Sequence, residues 1–460
     1  MKSVQRAGVQ LLLRYLSDRP LEKLPKMFDL AEKLDPGKQQ AQKIQAIRSA
    51  LLDEDSNWRR LTENLFQEVD KRVIRKLMES FMINANLFGL SRKHALEEKY
   101  DCNIPWAILM DPTSACNLSC IGCWAGRYEK KNNLSYETLD SICRQGKELG
   151  VHFYIFSGGE PLVRRKDIIR LCEAHQDCYF FAFTNGTLVD DELCREMLRV
   201  GNFALAFSIE GDEEATDMRR GKGTYRKVIA AMERMKEYGL LFGCSTCYHR
   251  YNTESIASDE FVNDMIARGC RFMWNFTYMP VGREARTDFL ATPEQRAYMY
   301  RRIREIRETK PIFAIDFWND GEYTGGCIAG GRQYLHINAA GDVEPCAFIH
   351  YSNVNIHQVS LLEALRSPLF MAYRRRQPFN DNHLRPCPLL DNPEALAAMV
   401  KESGAHSTDL EAPEEVDSLC AKTVDAARRW APTADRLWEE RCRCRAADRK
   451  EERAMLSCGP

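Results

Sequence analysis

The sequence predicts an α/β fold built on a parallel sheet, with helical regions before and after the sheet. Between residues 105 and 310, short apolar runs alternate with helical stretches six times. Such alternation is typical of parallel strands joined by right-handed crossover helices. Residues 1–100 instead carry apolar side chains at the spacing of helices, and new apolar runs follow Pro311. We therefore expect a sheet domain between an N-terminal helical region and a small C-terminal α+β extension.

The N-terminal region, residues 1–102, is predicted to be a helical domain that packs on the sheet domain or covers its opening. Ser56 lies in a typical N-cap segment before a helical apolar pattern. The first residues lack the apolar run and cleavage site of a signal peptide. We expect no chemistry in this region.

The six strands of the sheet domain are predicted from apolar runs, and the helices from the stretches between them. Because functional groups of parallel sheets collect at the carboxyl ends of strands, we expect the site there. The predicted strands are Trp106–Met110, Val151–Phe156, Tyr179–Phe183, Phe203–Phe207, Leu241–Cys247 and Arg271–Tyr278. The predicted helices lie near 136–149, 166–174, 190–200, 224–238, 254–268 and 293–308.

Two further strands and a hairpin turn are predicted after the sheet domain. The strands are Phe313–Phe317 and Gln333–Ile337, and the turn follows at residues 338–343. The last part of the chain is predicted to be helical and highly charged. The predicted domains are residues 1–102, 103–310, 311–390 and 391–460.

Composition bounds the class of protein. Hydrophobic residues make up 44% and charged residues 28% of the chain, as in ordinary soluble domains. A net charge of -1 favours neither nucleic acid nor anionic lipid as a partner, and no apolar stretch could span a bilayer. The 18 cysteines indicate metal binding or catalysis in a reducing, cytoplasmic and anaerobic setting. Seven of them are predicted to be buried small hydrophobic residues: Cys143, Cys172, Cys178, Cys194, Cys244, Cys247 and Cys270.

Three cysteines in one short loop form the most informative motif. Cys116, Cys120 and Cys123 have a C-x3-C-x2-C spacing, which lets three thiolates bind one [4Fe–4S] cluster. A closed cluster needs four ligands, so one iron would stay open for a small ligand. An open metal position is typical of a catalytic site. A zinc site and a cluster that only carries electrons are the alternatives.

The motif and the segments after it resemble the radical S-adenosylmethionine (SAM) superfamily. The resemblance continues through Gly158–Pro161, Thr184–Thr187 and Ser208–Gly211, and covers roughly residues 103–390. It implies a partial (β/α)6 TIM-like barrel in which SAM binds the open iron. It also implies an enzyme that reductively cleaves SAM to a 5′-deoxyadenosyl radical, which abstracts hydrogen from a substrate carbon.

The resemblance also implies which residues bind SAM. Gly158, Gly159 and Glu160 match the motif that binds the SAM amino group, with the carboxylate as hydrogen-bond acceptor. Asn185 and Ser208 follow the third and fourth strands, close to the same ligand.

Two charged positions complete this predicted SAM site. Glu210 occupies a position where the family commonly has aspartate, so its carboxylate reaches further. Arg220 matches an arginine that pairs with the SAM carboxylate. Its neighbour Arg219 is predicted to be a surface charge.

A second cysteine set resembles the start of the SPASM extension, which holds auxiliary clusters in many radical SAM enzymes. Cys327 and Cys346 match its first positions, whereas the later cysteine run is reduced to Cys387. The resemblance implies one auxiliary [4Fe–4S] cluster bound by these three residues. Cys420 is a possible fourth ligand, and a zinc site is the alternative.

The motifs leave the substrate open. A peptide or protein side chain, a small metabolite, and a lipid or other hydrophobic substrate are all compatible with them. Aromatic residues are not interleaved with a basic patch, so nucleic acid is not expected. The chemistry implies a flavodoxin or ferredoxin-type reductant as partner. A non-catalytic iron–sulfur electron-transfer protein is the alternative from another class.

Overall fold

The structure, a computed structural model, describes residues 20–33, 41–125, 132–409 and 412–457. Residues 1–19 and 34–40 of the predicted helical region lie outside the described residues. The described part before the sheet is helical throughout. Its helices are Pro20–Lys33 (α1), Ala41–Leu52 (α2), Asn57–Glu68 (α3), Lys71–Lys76 (α4), the π-helix Leu77–Gly89 and Leu90–Tyr100 (α5).

The sheet has nine strands in the order β7-β6-β5-β4-β3-β2-β1-β8-β9. All neighbours are parallel except β8 and β9, which form the predicted hairpin. The α/β fold and the six predicted strands, β1 to β6, are confirmed. The strands are Ala107–Met110 (β1), Phe153–Phe156 (β2), Tyr179–Thr184 (β3), Phe203–Ser208 (β4), Phe242–Tyr248 (β5), Phe272–Thr277 (β6), Phe313–Asp316 (β7), Tyr334–Ile337 (β8) and Val343–Glu344 (β9).

Helices join the parallel strands as crossovers. Ser135, Asp190 and Thr292 cap three of them by accepting a backbone N–H at the first turn. The helices are Tyr136–Glu148 (α6), Arg165–Ala174 (α7), Asp191–Val200 (α8), Glu213–Arg220 (α9), Thr224–Glu237 (α10), Thr253–Ala257 (α11), Asp259–Ala267 (α12) and Pro293–Thr309 (α13), with 3-10 turns at Pro161–Arg164 and Thr287–Phe289.

The sheet curves into a partial barrel, and side-chain size explains why. Phe183 of β3 and Trp274 of β6 lie with ring centroids 5.3 Å apart, although β4 and β5 separate their strands. The intervening strands contribute small residues such as Ala206 and Ser245. Large rings therefore meet across the interior.

The π-helix packs where the central strands begin. The ring of Phe81 lies 5.8, 5.0 and 5.8 Å from those of Trp106, Phe153 and Tyr179, which stand at or just before the first residues of β1, β2 and β3. Ser80 adds a hydrogen bond to the carbonyl of Gln176. The helical region thus closes the barrel at the end opposite the strands' carboxyl ends.

The C-terminal extension is part of the same core. β8 pairs in parallel with β1, in the register Ala107 with Tyr334. Helices and short strands follow, and Trp430 of the last helix is buried against Arg296 of α13. Among the described residues, no helix has the length and apolar character to cross a membrane. These elements are Gly321–Thr324 (α14), Tyr351–Ser352 (β10), Leu361–Leu365 (α15), Pro368–Arg376 (α16), Pro393–Ser403 (α17), His406–Ser407 (β11) and Val416–Ser457 (α18).

Candidate functional site

The loop after β1 brings Cys116, Cys120 and Cys123 to the wall of one large cavity of about 1440 Å³. The C-terminal turn of α9 holds the loop, because the backbone N–H of Ile121 donates to the carbonyl of Arg219 at 2.9 Å. All three thiols are free of disulfides. The loop therefore offers three sulfur ligands to one space.

Gly158 and Gly159 press directly against this loop. Gly158 has a φ of 98°, a conformation that favours glycine. A Cβ on Gly159 would lie 2.2 Å from the carbonyl oxygen of Ala115, the residue before Cys116. Both positions require glycine because the second strand end and the cysteine loop touch backbone to backbone.

Glu160 directly follows the two glycines, and it is 1% exposed. Its carboxylate accepts hydrogen bonds from the Thr184 hydroxyl at 2.7 Å, from the Asn185 N–H at 2.7 Å and from the Leu162 N–H at 3.0 Å. Burial raises the pKa of Glu160, and these donors oppose that rise. The carboxylate is held rigidly at the cavity wall.

Asn185 connects the third strand end to the cysteine loop. Its side-chain amide donates to Asn117 Oδ1 at 2.8 Å and lies 3.9 Å from the sulfur of Cys116. Ser208, the last residue of β4, lines the same cavity. The structure therefore brings both predicted residues to the three thiols.

Glu210 was predicted to be part of the SAM site, but it does not line the cavity. It is fully buried and lies behind the cavity-lining residues, where it pairs with Arg219 at 2.6 Å and Arg220 at 2.5 Å. Burial would raise the pKa of Glu210, but the two guanidinium groups lower it below its usual range. Glu210 thus positions the arginines.

The prediction of Arg219 as a surface charge is wrong. Arg219 is 5% exposed and lines the cavity together with Arg220. The sequence places both residues in the last turn of a polar helix, where a surface position is common. Glu210, which folds beneath that turn, draws both guanidinium groups inward.

The spacing of the sulfurs discriminates between an iron–sulfur cluster and a single zinc ion. Among the described residues, only His152, Asp177 and Cys178 form a trio of potential ligands whose atoms all lie within 4.8 Å of one another. Each cysteine triad is therefore more widely spread. Two sulfurs on one zinc ion can lie at most about 4.6 Å apart, twice the Zn–S bond length. The donor chemistry and the spread fit a larger cluster.

The rest of the large cavity is mostly apolar. Among its described lining residues the only cations are Arg219 and Arg220, and both are paired with Glu210. Aromatic rings form most of the wall opposite the thiols. This apolar wall consists of Trp106, Leu109, Ile155, Phe183, Trp274, Phe276, Phe317, Ile328 and Phe348.

The second cysteine set meets in another cavity, of about 730 Å³. Cys327, Cys346 and Cys387 come from three separate segments and line it together. Burial raises the pKa of Cys346 to about 12 and that of Cys387 to about 11. Cys420 lies outside the lining, and its thiol donates to the carbonyl of Pro393. The possible role of Cys420 as fourth ligand is therefore not supported, because packing against α17 turns it away.

A buried charge network lies behind the first cysteine loop. His336 lies 3.0 Å from a carboxylate oxygen of Asp111 and 2.6 Å from one of Glu344. Burial would lower the pKa of His336, but the two carboxylates raise it to about 10. Trp124, next to Cys123, stacks on His350, which also pairs with Glu344. The segment around Cys346 is thereby joined to the loop around Cys123.

Sequence reasoning also missed Cys247 and Tyr334 as cavity residues. Cys247 was expected to be a buried small hydrophobic residue, yet it lines the large cavity. Tyr334 lines both cavities and donates a hydrogen bond to Cys346. Alternation along β5 and β8 could have suggested their inward orientation, but only the curvature of the sheet brings them to the thiols.

Comparison with known families agrees with this arrangement. Residues 110–261 match the model of the radical SAM superfamily. Residues 327–388 match the SPASM model, an iron–sulfur cluster-binding domain. The chain is a radical SAM protein with a SPASM domain. Its cofactors are accordingly [4Fe–4S] clusters and SAM, which fit the two thiol-lined cavities.

Several curated proteins are similar to this radical SAM protein. Fe-coproporphyrin III synthase of Methanosarcina barkeri is 27% identical over 229 residues, which are 47% of this chain and 57% of the synthase. PqqA peptide cyclase of Granulibacter bethesdensis is 26% identical over 253 residues, 53% of this chain and 67% of the cyclase. The match thus spans little more than half the length of the synthase.

A solved structure shows the same fold. The crystal structure of Streptococcus suis SuiB bound to precursor peptide SuiA has a TM-score of 0.52 and 20% sequence identity. The similarity covers 62% of this chain and 70% of SuiB. It supports the partial barrel of this radical SAM protein.

Proposed function

We propose that the chain is an enzyme that reductively cleaves SAM and removes hydrogen from an apolar carbon of a peptide or protein side chain. The observation that carries this proposal is one cavity in which three thiols, a set of polar residues and an apolar wall meet. The polar residues, here called the polar cradle, are Gly158, Gly159, Glu160, Asn185, Ser208, Arg219 and Arg220. When bound, the cluster and SAM supply one-electron chemistry that generates a 5′-deoxyadenosyl radical.

In this proposal, Cys116, Cys120 and Cys123 each bind one iron of the SAM-binding cluster. Thiolates are the form of cysteine that binds a metal. Cluster binding therefore displaces protons from the loop. The contact between Gly159 and Ala115 holds the loop at the edge of the SAM site.

The polar cradle orients SAM. Gly158 and Gly159 allow close approach of the ligand, and the Glu160 carboxylate accepts hydrogen bonds from the SAM amino group. Asn185 and Ser208 contribute further hydrogen bonds. Arg220, together with Arg219, pairs with the SAM carboxylate, while Glu210 fixes the direction of both guanidinium groups.

The apolar wall favours an uncharged reacting group on the substrate. An acidic substrate would need free cations, and the two arginines of the described lining are already paired. Aromatic rings also keep water from the reacting atoms. The names of the peptide cyclase relative and of the peptide-bound SuiB structure support a peptide as the molecule that carries this group.

Cys327, Cys346 and Cys387 hold one auxiliary [4Fe–4S] cluster in this proposal, with one iron left for a ligand other than cysteine. The orphaned hydroxyl of Tyr373, which is buried at this cavity, fits a polar group in the space. A flavodoxin or ferredoxin-type protein is the proposed reductant.

The first test combines iron counting with a SAM cleavage assay after anaerobic reconstitution. Wild-type protein is compared with the Cys116→Ala/Cys120→Ala/Cys123→Ala variant, using dithionite as reductant. We expect about eight irons in the wild type and about four in the variant, since each cluster holds four. Only the wild type should form 5′-deoxyadenosine. Equal cleavage by both proteins would overturn the proposal.

The second test addresses the substrate. Synthetic peptides that differ only in a central leucine, tyrosine, glutamate or lysine are compared with Fe-coproporphyrin III. Stimulation of 5′-deoxyadenosine formation by leucine or tyrosine peptides, with deuterium transfer from a labelled side chain, is expected. Stimulation by the porphyrin alone would replace the peptide proposal with a tetrapyrrole substrate.

A further inference from the structure

An aromatic wall separates the SAM cavity from the cavity of the second cysteine set. Tyr334 of β8 lies in this wall and lines both cavities, whereas Trp318 lines the second one alone. Both side chains are buried, with exposures of 8% for Tyr334 and 2% for Trp318. Phe317 packs between them, with ring centroids 4.9 Å from Trp318 and 5.9 Å from Tyr334.

One of these two residues, Tyr334, donates a hydrogen bond to a cysteine sulfur. Its hydroxyl donates to Sγ of Cys346 at 2.8 Å. The aromatic wall thus supplies a side-chain hydrogen bond to one sulfur of the second triad.

The first cysteine triad has a longer side-chain hydrogen bond among the described residues. The amide of Asn185 donates to Sγ of Cys116 at 3.9 Å and to Asn117 at 2.8 Å, and the backbone N–H of Leu118 donates to the same sulfur at 3.4 Å. The two triads therefore differ in the length of the side-chain hydrogen bonds to their sulfurs, although both consist of three cysteines.

This difference has an electrostatic consequence. A cluster gains negative charge when it is reduced, and its thiolate sulfurs share that charge. A hydrogen-bond donor aimed at a sulfur therefore stabilises the reduced form more than the oxidised form. Hydrogen bonds to the sulfurs are among the main determinants of cluster potentials.

We propose that Tyr334 is a positioning residue that raises the reduction potential of the auxiliary cluster through this hydrogen bond. The inference rests on the proposed binding of that cluster by Cys327, Cys346 and Cys387. Because Tyr334 also lines the SAM cavity, one side chain contacts both the substrate space and the sulfur of a cluster ligand.

The test uses the full chain with Cys116, Cys120 and Cys123 replaced by alanine, so that only the auxiliary cluster remains. Its midpoint potential is measured by an EPR-monitored redox titration. Tyr334→Phe removes the donor and keeps the ring. We expect a tenfold loss of preference for the reduced form, which is a shift of about 59 mV to a more negative potential for one electron. The iron content should not change.

Tyr179→Phe is the matched control. Tyr179 is also a buried tyrosine, its hydroxyl has no hydrogen-bond partner among the described residues, and it lies at the opposite end of the barrel. It should leave the potential unchanged.

Three outcomes would overturn the inference. An unchanged potential in Tyr334→Phe would refute the hydrogen-bond role while leaving the proposed function intact. Loss of iron in that variant would make the tyrosine a ligand instead of a hydrogen-bond donor. Absence of any cluster from the alanine background would refute the inference together with the proposed auxiliary site.

Discussion

The two cysteine triads of this protein are built in different ways. Cys116, Cys120 and Cys123 come from a single loop, and Cys116 is exposed. Cys327, Cys346 and Cys387 come from three segments and are half-buried or buried. The first triad depends on backbone contacts to its loop, whereas the second depends on the packing of a whole extension.

This comparison shows what each site must provide. A loop triad leaves one side of its metal group open to a ligand in a large cavity, as a catalytic site requires. A triad assembled from distant segments is more buried, and it receives a side-chain hydrogen bond from Tyr334. Under the proposed function, three cysteines serve a different purpose at each site, and the surrounding residues determine which.

The largest expected effect comes from removing the second triad. In Cys327→Ala/Cys346→Ala/Cys387→Ala we expect about four irons to be lost, while SAM cleavage without substrate persists. Iron analysis and a 5′-deoxyadenosine assay measure the two results. Complete loss of SAM cleavage in a folded variant would show that the triads are not separate in function. If the triple variant does not fold, the single variant Cys387→Ser is measured in its place.

Glu210→Gln tests the buried ion pairs beside the first triad. The change leaves two buried guanidinium groups without a full counter-charge, so we expect a loss of about 3–5 kcal/mol in the free energy of unfolding. Weaker SAM binding should accompany it. Urea denaturation and SAM titration are the measurements.

Glu213→Gln is the control for that variant. Glu213 pairs with Arg226 on the surface, with side-chain exposures of 46% and 80%. The same substitution there should cost less than about 1 kcal/mol. Equal losses in both variants would contradict the importance of the buried pair.

His336→Asn tests the buried charge network of His336, Asp111 and Glu344, which lies between the two cysteine segments. The pKa of His336 is raised from its usual 6.5 to about 10 by Asp111 and Glu344, so its stabilisation is complete below pH 6.5. It is lost as the pH rises to about 10. The variant should lose about 2 kcal/mol near pH 6.5, and the difference should shrink towards pH 10. Urea midpoints across this range measure it, and a constant difference would contradict the charge on His336.

Trp124→Phe should have the smallest effect. The indole of Trp124 stacks on His350 and contacts Phe348 edge-on. A smaller ring keeps part of this contact, so we expect a loss of about 0.5–1.5 kcal/mol in the free energy of unfolding. Thermal denaturation measures it. A loss of all SAM cleavage with unchanged stability would instead place Trp124 at the reacting centre.

Local sequence patterns predicted much of the fold and of the site. The strand ends that carry Gly158, Asn185 and Ser208 follow from short apolar runs and lie at one cavity as expected. Features that depend on distant contacts were not predictable. The inward turn of Arg219 requires Glu210 beneath it, and the orientation of Cys420 away from the second triad follows from its packing against α17.

The pairing of β1 with β8 affects how the chain can be made. Residues 107–110 lie beside residues 334–337, so one side of the barrel wall is missing until the ribosome has added more than two hundred residues beyond β1. Until then β1 presents an unpaired edge, which is a template for association with other chains. A fragment that ends before β8 would be expected to aggregate.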